Sequence, residues 1–308
     1  MSESSQIKTV AISGGTGMVG TALAALLQQE GKSVLAISRQ QGSSYDQTLR
    51  WDPETGLTNP ARLESVDAIV HLAGENIASG RWNRSVKNRI HNSRTQGTRN
   101  LVKSIAMVEK PPRVLVSASA IGYYGDRAET ELTESAAPGE GFLAEVCKDW
   151  EAEADAAVDL GLRVVKVRIG IVLSPQGGAL ANMLLPFKLG VGGVIGSGKQ
   201  YWSWIGLHDL TRVLAFCINN ESLNGVVNAV SPQSTTNREF TKTLGSVLHR
   251  PTILPMPAFA ARLALGEMAD ALLLSSCRAV PQALQSHGFE FQHPELEDCL
   301  KHELSMNG

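Results

Sequence analysis

The chain lacks the residue patterns that mark several function classes. Its 308 residues include four cysteines, Cys147, Cys217, Cys277 and Cys299, far apart and without a CxxC pair. That spacing argues against a zinc site or a redox dithiol and suits buried, reduced thiols. No cluster of His, Asp or Glu has metal-ligand spacing, and neither GxSxG nor HExxH occurs. A metal centre and a hydrolase are therefore not expected. Charge of one sign is missing too: the net charge is −2, which supplies no long-range field for nucleic acid or an anionic membrane. That test is blind to a local basic patch. The long uncharged run at residues 169–187 is broken by Pro175, Gln176, Gly177, Gly178 and Asn182, so it makes a poor membrane span. Residues 1–6 are polar, with no apolar stretch of signal-peptide type. The expectation is a cytoplasmic protein with a small-molecule substrate and neither nucleic acid nor membrane as partner.

What is present is ordinary for a globular protein, 43% hydrophobic and 19% charged. The length fits one large α/β domain with a smaller appended lobe. Short apolar runs at residues 8–12 (KTVAI), 33–38 (SVLAIS), 67–72 (DAIVHL), 113–117 (RVLVS) and 163–173 (RVVKVRIGIVL) read as strands. Helical spacing is found over residues 21–30, 83–107 and 143–160. Strands that alternate with helices and are apolar throughout predict a doubly wound parallel Rossmann sheet covered on both faces. The assignment is a Rossmann domain over residues 7–174, with returning segments from 203–230. Residues 175–308 form the substrate side and a carboxy-terminal lobe, with one helix near 258–274.

The first strand and first helix are joined by GGTGMVG (Gly14, Gly15, Thr16, Gly17, Met18, Val19, Gly20). Gly14 and Gly15 permit a tight turn, Gly17 allows backbone to approach a pyrophosphate, and Gly20 allows close packing of helix on strand. The helix amino terminus then offers free N–H groups and a positive dipole end to phosphates. Strand, glycine turn, helix and second strand follow in the order a dinucleotide site requires. The second strand ends on Ser38 and Arg39 rather than on the acidic residue that would read an unmodified ribose. A hydroxyl and a guanidinium there suit a 2′-phosphate, so NADP(H) is the expected cofactor. Asp52, at the end of a third strand, is an adenine contact or a plain loop acid. Leu72, Ala73 and Gly74 bring the next strand end close to the cofactor. Glu75 touches ribose or substrate, or caps the following segment.

The strings GGTGMVG, DAIVHLAGE, RTQGTRNL, SASAIGYYG and SWIGLHDL together resemble the extended short-chain dehydrogenase/reductase superfamily, of nucleotide-sugar epimerase type. HLAGENI, WEAEA, MLLPF, GVGGVIGSGKQYWSWI and NREF narrow the resemblance to atypical epimerase family proteins of unassigned substrate. That resemblance implies a Ser, a Tyr and a Lys four residues after the Tyr, with the phenol as general acid/base. The serine falls at Ser119, before the turn at Tyr123, and the YxxxK element at Ala144–Lys148, where the phenol is missing. Tyr123 or Tyr124 is the phenol that could substitute, working with Ser117 or Ser119 and Lys148. The superfamily's NxxGT pattern also changes, with Arg94 in place of Asn, and an inward arginine could hold a phosphate. The resemblance further implies pairing of two copies through the helices at 83–107 and 143–160, a homodimer.

On the substrate side, Val172 belongs to the strand-end rim where open parallel sheets bind ligands. The glycine-rich segment 190–204 carries Lys199, Tyr201, Trp202 and Trp204 and follows Lys188. It suits a substrate joining an anionic group to an apolar or ring portion, while Trp204 reads as a buried anchor. Asp209 reads as a helix-start acid and His208 as a weak acid/base candidate. Two uses of the cofactor stay open at this level: an NADP(H)-dependent oxidoreductase or epimerase acting on a small polar molecule, such as a nucleotide sugar, and a non-catalytic NADP(H) sensor or scaffold.

Overall fold

The computed structural model describes residues 6–39 and 47–305. Its first half alternates strand and helix: β1 (Thr9–Ser13), α1 (Met18–Gln29), β2 (Ser33–Ser38), β3 (Thr48–Asp52), β4 (Gly56–Leu57), β5 (Ala68–His71), α2 (Arg84–Ile105), β6 (Val114–Ala120), β7 (Glu131–Leu132), α3 (Phe142–Asp155) and β8 (Arg163–Ile169). Then follow β9 (Ile171–Leu173), α4 (Gly178–Lys188), β10 (Tyr201–Trp202), β11 (Trp204–Gly206), α5 (Leu207–Asn219) and β12 (Gly225–Ala229). The carboxy-terminal part holds β13 (Thr235–Thr236), α6 (Asn237–Val247), α7 (Ala258–Leu265), β14 (Arg278–Ala279), α8 (Gln282–Ser286) and α9 (Leu296–Ser305).

Eight strands form one sheet in the order β12-β8-β6-β5-β1-β2-β3-β4, parallel except for the last pair. It is the α/β, doubly wound Rossmann arrangement the alternation predicts. Side chains alternate across each strand, so the central strands β1, β2, β5, β6 and β8 feed two cores. Val10, Ile12, Val70, Val116 and Val167 meet Leu23 and Leu27 of α1 and Leu210, Val213 and Leu214 of α5. Ala11, Leu35, Ile69 and Leu115 face the other way, against Leu101, Val102 and Ile105 of α2. A third cluster builds the lobe from Leu180, Leu184 and Phe187 of α4, Trp202, Trp204, Phe240 and Leu300.

Two expected elements are interrupted, each at a glycine. The run 163–173 is not one strand: β8 stays in the main sheet, while β9 leaves it to pair with β11. A Cβ on Gly170 would lie 2.7 Å from the Ser203 carbonyl oxygen and 2.8 Å from Val230, so the bend needs its absence. The helix expected near 258–274 ends at Leu265, where Gly266 takes a positive φ of 63°. Residues 269–274 then continue as a π-helical turn, a form frequent at functional sites.

Candidate functional site

The glycine turn is held by backbone against backbone. Gly14 has φ +70°, and a Cβ there would meet the Leu72 carbonyl carbon at 2.9 Å. A Cβ on Gly20 would fall 2.4 Å from the Gly14 oxygen and 2.7 Å from Gly15 Cα. Any side chain at Gly20 would therefore push α1 off β1, which is the close packing expected of it. Gly17 is the helix N-cap and supplies no side-chain cap. The first-turn amides, at Met18, Val19 and Gly20, have no partner inside the helix and suit an anion. Thr16 lies in the turn, and Met18 rests with its sulfur beside Gly177 at the start of α4. At the far edge, Arg39 is exposed just beyond β2, which ends at Ser38.

Beneath the turn runs a hydrogen-bond chain that sequence reading missed. Ser13 Oγ lies 2.6 Å from His71 Nδ1, and His71 Nε2 lies 3.0 Å from Thr98 Oγ1. Ser13 Oγ also accepts from the amides of Leu72 and Ala73. His71 is fully buried, and burial pulls its pKa down to about 4. The imidazole is therefore neutral, and it joins β1, β5 and α2. No motif marks Ser13, and His71 and Thr98 stood inside DAIVHLAGE and RTQGTRNL without a role assigned to either.

A cavity of about 630 Å³ opens beyond the carboxyl ends of β6 and β8, within the size of small-molecule sites. Ile77, Trp82, Ile90, Leu143, Ala144 and Trp150 give it largely apolar walls, and the segment 270–275 closes it from the lobe. Arg94 enters this wall. Its Nη1 donates to the carbonyls of Glu75 and Ile90, its guanidinium lies over the Trp150 ring, and a Cβ on Gly74 would sit 3.2 Å from its Cζ. Among the described residues no carboxylate lies within 4.0 Å of it. Burial lowers the Arg94 pKa, against the nearby Cys147 and Glu75. Glu75 itself is on the rim, its carboxylate 3.5 Å from Arg89.

The catalytic residues expected from the sequence are placed otherwise. Lys148 is exposed on the outer side of α3 and is not part of the cavity wall. Leu143 and Cys147 of α3 pack on the turn after β6: a Cβ on Gly122 would lie 3.2 Å from Leu143 and 3.9 Å from Cys147 Sγ. The α3 residues in the cavity wall, Phe142, Leu143, Ala144, Val146, Cys147 and Trp150, include neither a phenol nor a cation. Cys147 is no substitute base, because burial and then Glu151 push its thiol up to about 11.

Ser119 is buried and donates to Glu151 Oε1 at 2.7 Å. Glu151 in turn holds Arg168 through both oxygens, at 2.7 and 2.9 Å. Arg168 Nη1 reaches the Tyr124 hydroxyl, which also donates to Asn228 Oδ1. Burial pushes the Tyr124 phenol up to about 12. Tyr123 lies with its ring under the Arg168 guanidinium, 3.4 Å away. The hydroxyls of Ser119 and Tyr124 are thus committed to a buried ion-pair network, and Ser117 is buried behind them. Among the described residues the tyrosine in the cavity wall is Tyr201, beside Trp202 and Ser203.

Val172 is half-buried in β9 and packs on the first core. Asp52 Oδ1 accepts from the Glu54 amide and shapes a turn. Trp204 is fully buried. Asp209 accepts from the amides of Gln292 and His293, tying α5 to the carboxy-terminal segment, and His208 pairs with Gln292. Lys188 and Lys199 are exposed outside the cavity.

Comparison with known proteins agrees with this geometry. The NAD dependent epimerase/dehydratase family model matches residues 10–229, and a domain of unknown function, DUF1731, matches residues 256–303. The chain is 42% identical over 299 residues to Epimerase family protein Mb2239 of Mycobacterium bovis, covering 97% of this chain and 98% of that protein. It is 37% identical over 295 residues to the human Epimerase family protein SDR39U1, covering 95% and 98%. The solved structure of human SDR39U1 (isoform2) with NADPH superposes with a TM-score of 0.87 at 35% identity, covering 96% of this chain and 99% of that one. The UDP-N-acetylglucosamine 4-epimerase of Bacillus cereus shares the fold, with a TM-score of 0.77 at 18% identity.

Proposed function

Because the chain belongs to the NAD dependent epimerase/dehydratase family, we propose that it binds NADP(H) across the β1–α1 turn and is an oxidoreductase for a small molecule held in the Arg94 cavity. The residues fit the cofactor: a cradle closed to any Cβ at Gly14 and Gly20, uncapped amides at the start of α1, and Arg39 at the ribose edge. SDR39U1 with NADPH supports the same choice. Bound there, the reduced nicotinamide supplies a hydride.

The observation that carries the substrate class is Arg94, a half-buried cation without a carboxylate partner in a mostly apolar wall. It suits a carbonyl or carboxylate oxygen on an otherwise apolar body. In this reading Arg94 polarises that oxygen and the Tyr201 phenol delivers the proton, while Ser119 and Glu151 keep β6 and α3 in place. A nucleotide sugar is a more polar occupant than these walls favour. A second reading, an NADP(H)-binding sensor without turnover, is favoured by the cavity side of α3, where Leu143, Ala144 and Cys147 supply neither a phenol nor a lysine.

The experiment is NADPH binding together with NADPH oxidation over a panel of carbonyl compounds and nucleotide sugars. Arg39→Ala should weaken NADPH by about 1–3 kcal/mol through loss of a charge-assisted contact and leave NADH nearly unchanged. Turnover that disappears in Arg94→Gln and Tyr201→Phe, with NADPH affinity retained, supports the oxidoreductase. Tight NADPH binding with no oxidation across the panel supports the sensor.

A further inference from the structure

Exposed large apolar side chains are concentrated on one face of the lobe. Leu185, Leu189 and Val191, at and after the end of α4, are 66, 68 and 54% exposed. Ile253, Leu254, Met256, Phe259 and Leu263 are 80, 52, 45, 72 and 77% exposed. The two segments form one surface. Arg250 Nε donates to the Lys188 carbonyl, the Met256 amide donates to the Val194 carbonyl, and Gly193 has no room for a Cβ because the Leu254 carbonyl fills that space. Phe259 and Leu263, one turn apart on α7, extend it. A contiguous apolar face of this kind marks an interaction site.

Its charge is one-sided, although the whole chain is near neutral. No Asp or Glu occurs in residues 160–208 or in residues 240–266. Lys188, Lys199, Lys242 and Arg250 are exposed in these stretches. The carboxylates that bound the second stretch are engaged: Glu239 in the α6 capping box, Glu267 with Lys87, and nearby Asp270 with Arg262. A second copy of this chain docked face to face would oppose the same cations, at a cost of like-charge repulsion. The apolar side chains also protrude rather than line a groove, which suits insertion between lipid headgroups better than capture of a peptide.

We propose that this face, Leu185–Val191 with Ile253–Leu263, docks the protein peripherally on an anionic phospholipid bilayer. No helix of the described residues is long and apolar enough to cross a membrane, and none is needed: side chains enter the interface while Lys188 and Arg250 meet the phosphates. The lobe presenting this face also closes the cavity wall at 270–275, so docking would place the cavity beside the lipid surface.

The test is co-flotation of the full chain with vesicles of phosphatidylcholine alone and of phosphatidylcholine with about one-third phosphatidylglycerol. The expected result is binding to the anionic vesicles, weakened by salt, and at least tenfold weaker in Phe259→Glu/Leu263→Glu. Both sites are on the surface, and an unchanged melting temperature in the variant confirms its fold. Lys188→Glu should lower binding by severalfold with the apolar face intact. Absence of binding to anionic vesicles overturns the proposal, as does equal binding by the double variant. Concentration-dependent dimerisation abolished by that variant, without vesicle binding, assigns the face to a second copy instead.

Discussion

The two ends of the cleft are built in different ways. At the glycine end, position is set by backbone packed on backbone, at Gly14 against Leu72 and Gly20 against Gly14. At the α3 end, position is set by side chains, in the buried Ser119–Glu151–Arg168–Tyr124 network. Backbone packing tolerates almost no substitution and so leaves a legible pattern. A side-chain network can be rebuilt from other residues, and here the α3 wall of the cavity carries neither a phenol nor a lysine. The cofactor end is therefore the conservative half of the cleft, and the α3 end the half free to change its chemistry.

Replacing Glu151 tests that contrast most severely. Glu151→Ala leaves Arg168 buried without its counter-charge and should cost about 3–5 kcal/mol in urea unfolding. A loss under about 1 kcal/mol would mean the network is ornamental to the fold. Gly20→Ala should cost about 1–3 kcal/mol by overpacking and weaken NADPH binding as α1 shifts; an unaltered binding isotherm would show that the turn adapts.

His71 separates the two ends by pH. Its folded pKa of about 4 is below the unfolded value of 6.5, so the unfolded state takes up the proton first. Its contribution is complete above about pH 6.5 and is lost as pH falls toward 4. The slope from this residue is at most about 1.4 kcal/mol per pH unit. His71→Asn should flatten that part of the stability profile; an identical slope would assign the acid sensitivity elsewhere. The smallest effect is expected at Lys148. Lys148→Ala should shift stability by less than about 0.5 kcal/mol and leave NADPH binding and turnover unchanged. A turnover loss would return Lys148 to the catalytic machinery.

How far the sequence discloses this follows from the same division. β2 is where its apolar run places it, and the glycine spacing locates the turn, because both depend on local backbone. The register of α3 does not. One residue along a helix rotates a side chain by about 100°, so Lys148 is in solvent while its neighbour Cys147 and, a turn earlier, Leu143 and Ala144 line the cavity. Gly170 and Gly266 interrupt elements that periodicity alone reads as continuous, since the reason for each break lies in a distant segment or a backbone angle. Ser13 and His71 were silent because an apolar strand ending in Ser or His looks like any other strand end. The exposed apolar face was hidden as well: net charge averages over the chain, and the acid-free stretches meet only once the lobe is folded.

The Ser13–His71–Thr98 chain has a consequence for how cofactor binding responds to its medium. Its links are hydroxyl and neutral imidazole, so mobile ions have no charge there to screen. The geometry of the glycine turn should thus be the same in dilute buffer and in concentrated salt. Whatever ionic-strength dependence NADPH binding displays can then be charged to phosphate and guanidinium alone, and its slope becomes a direct gauge of how many cations the bound phosphates meet.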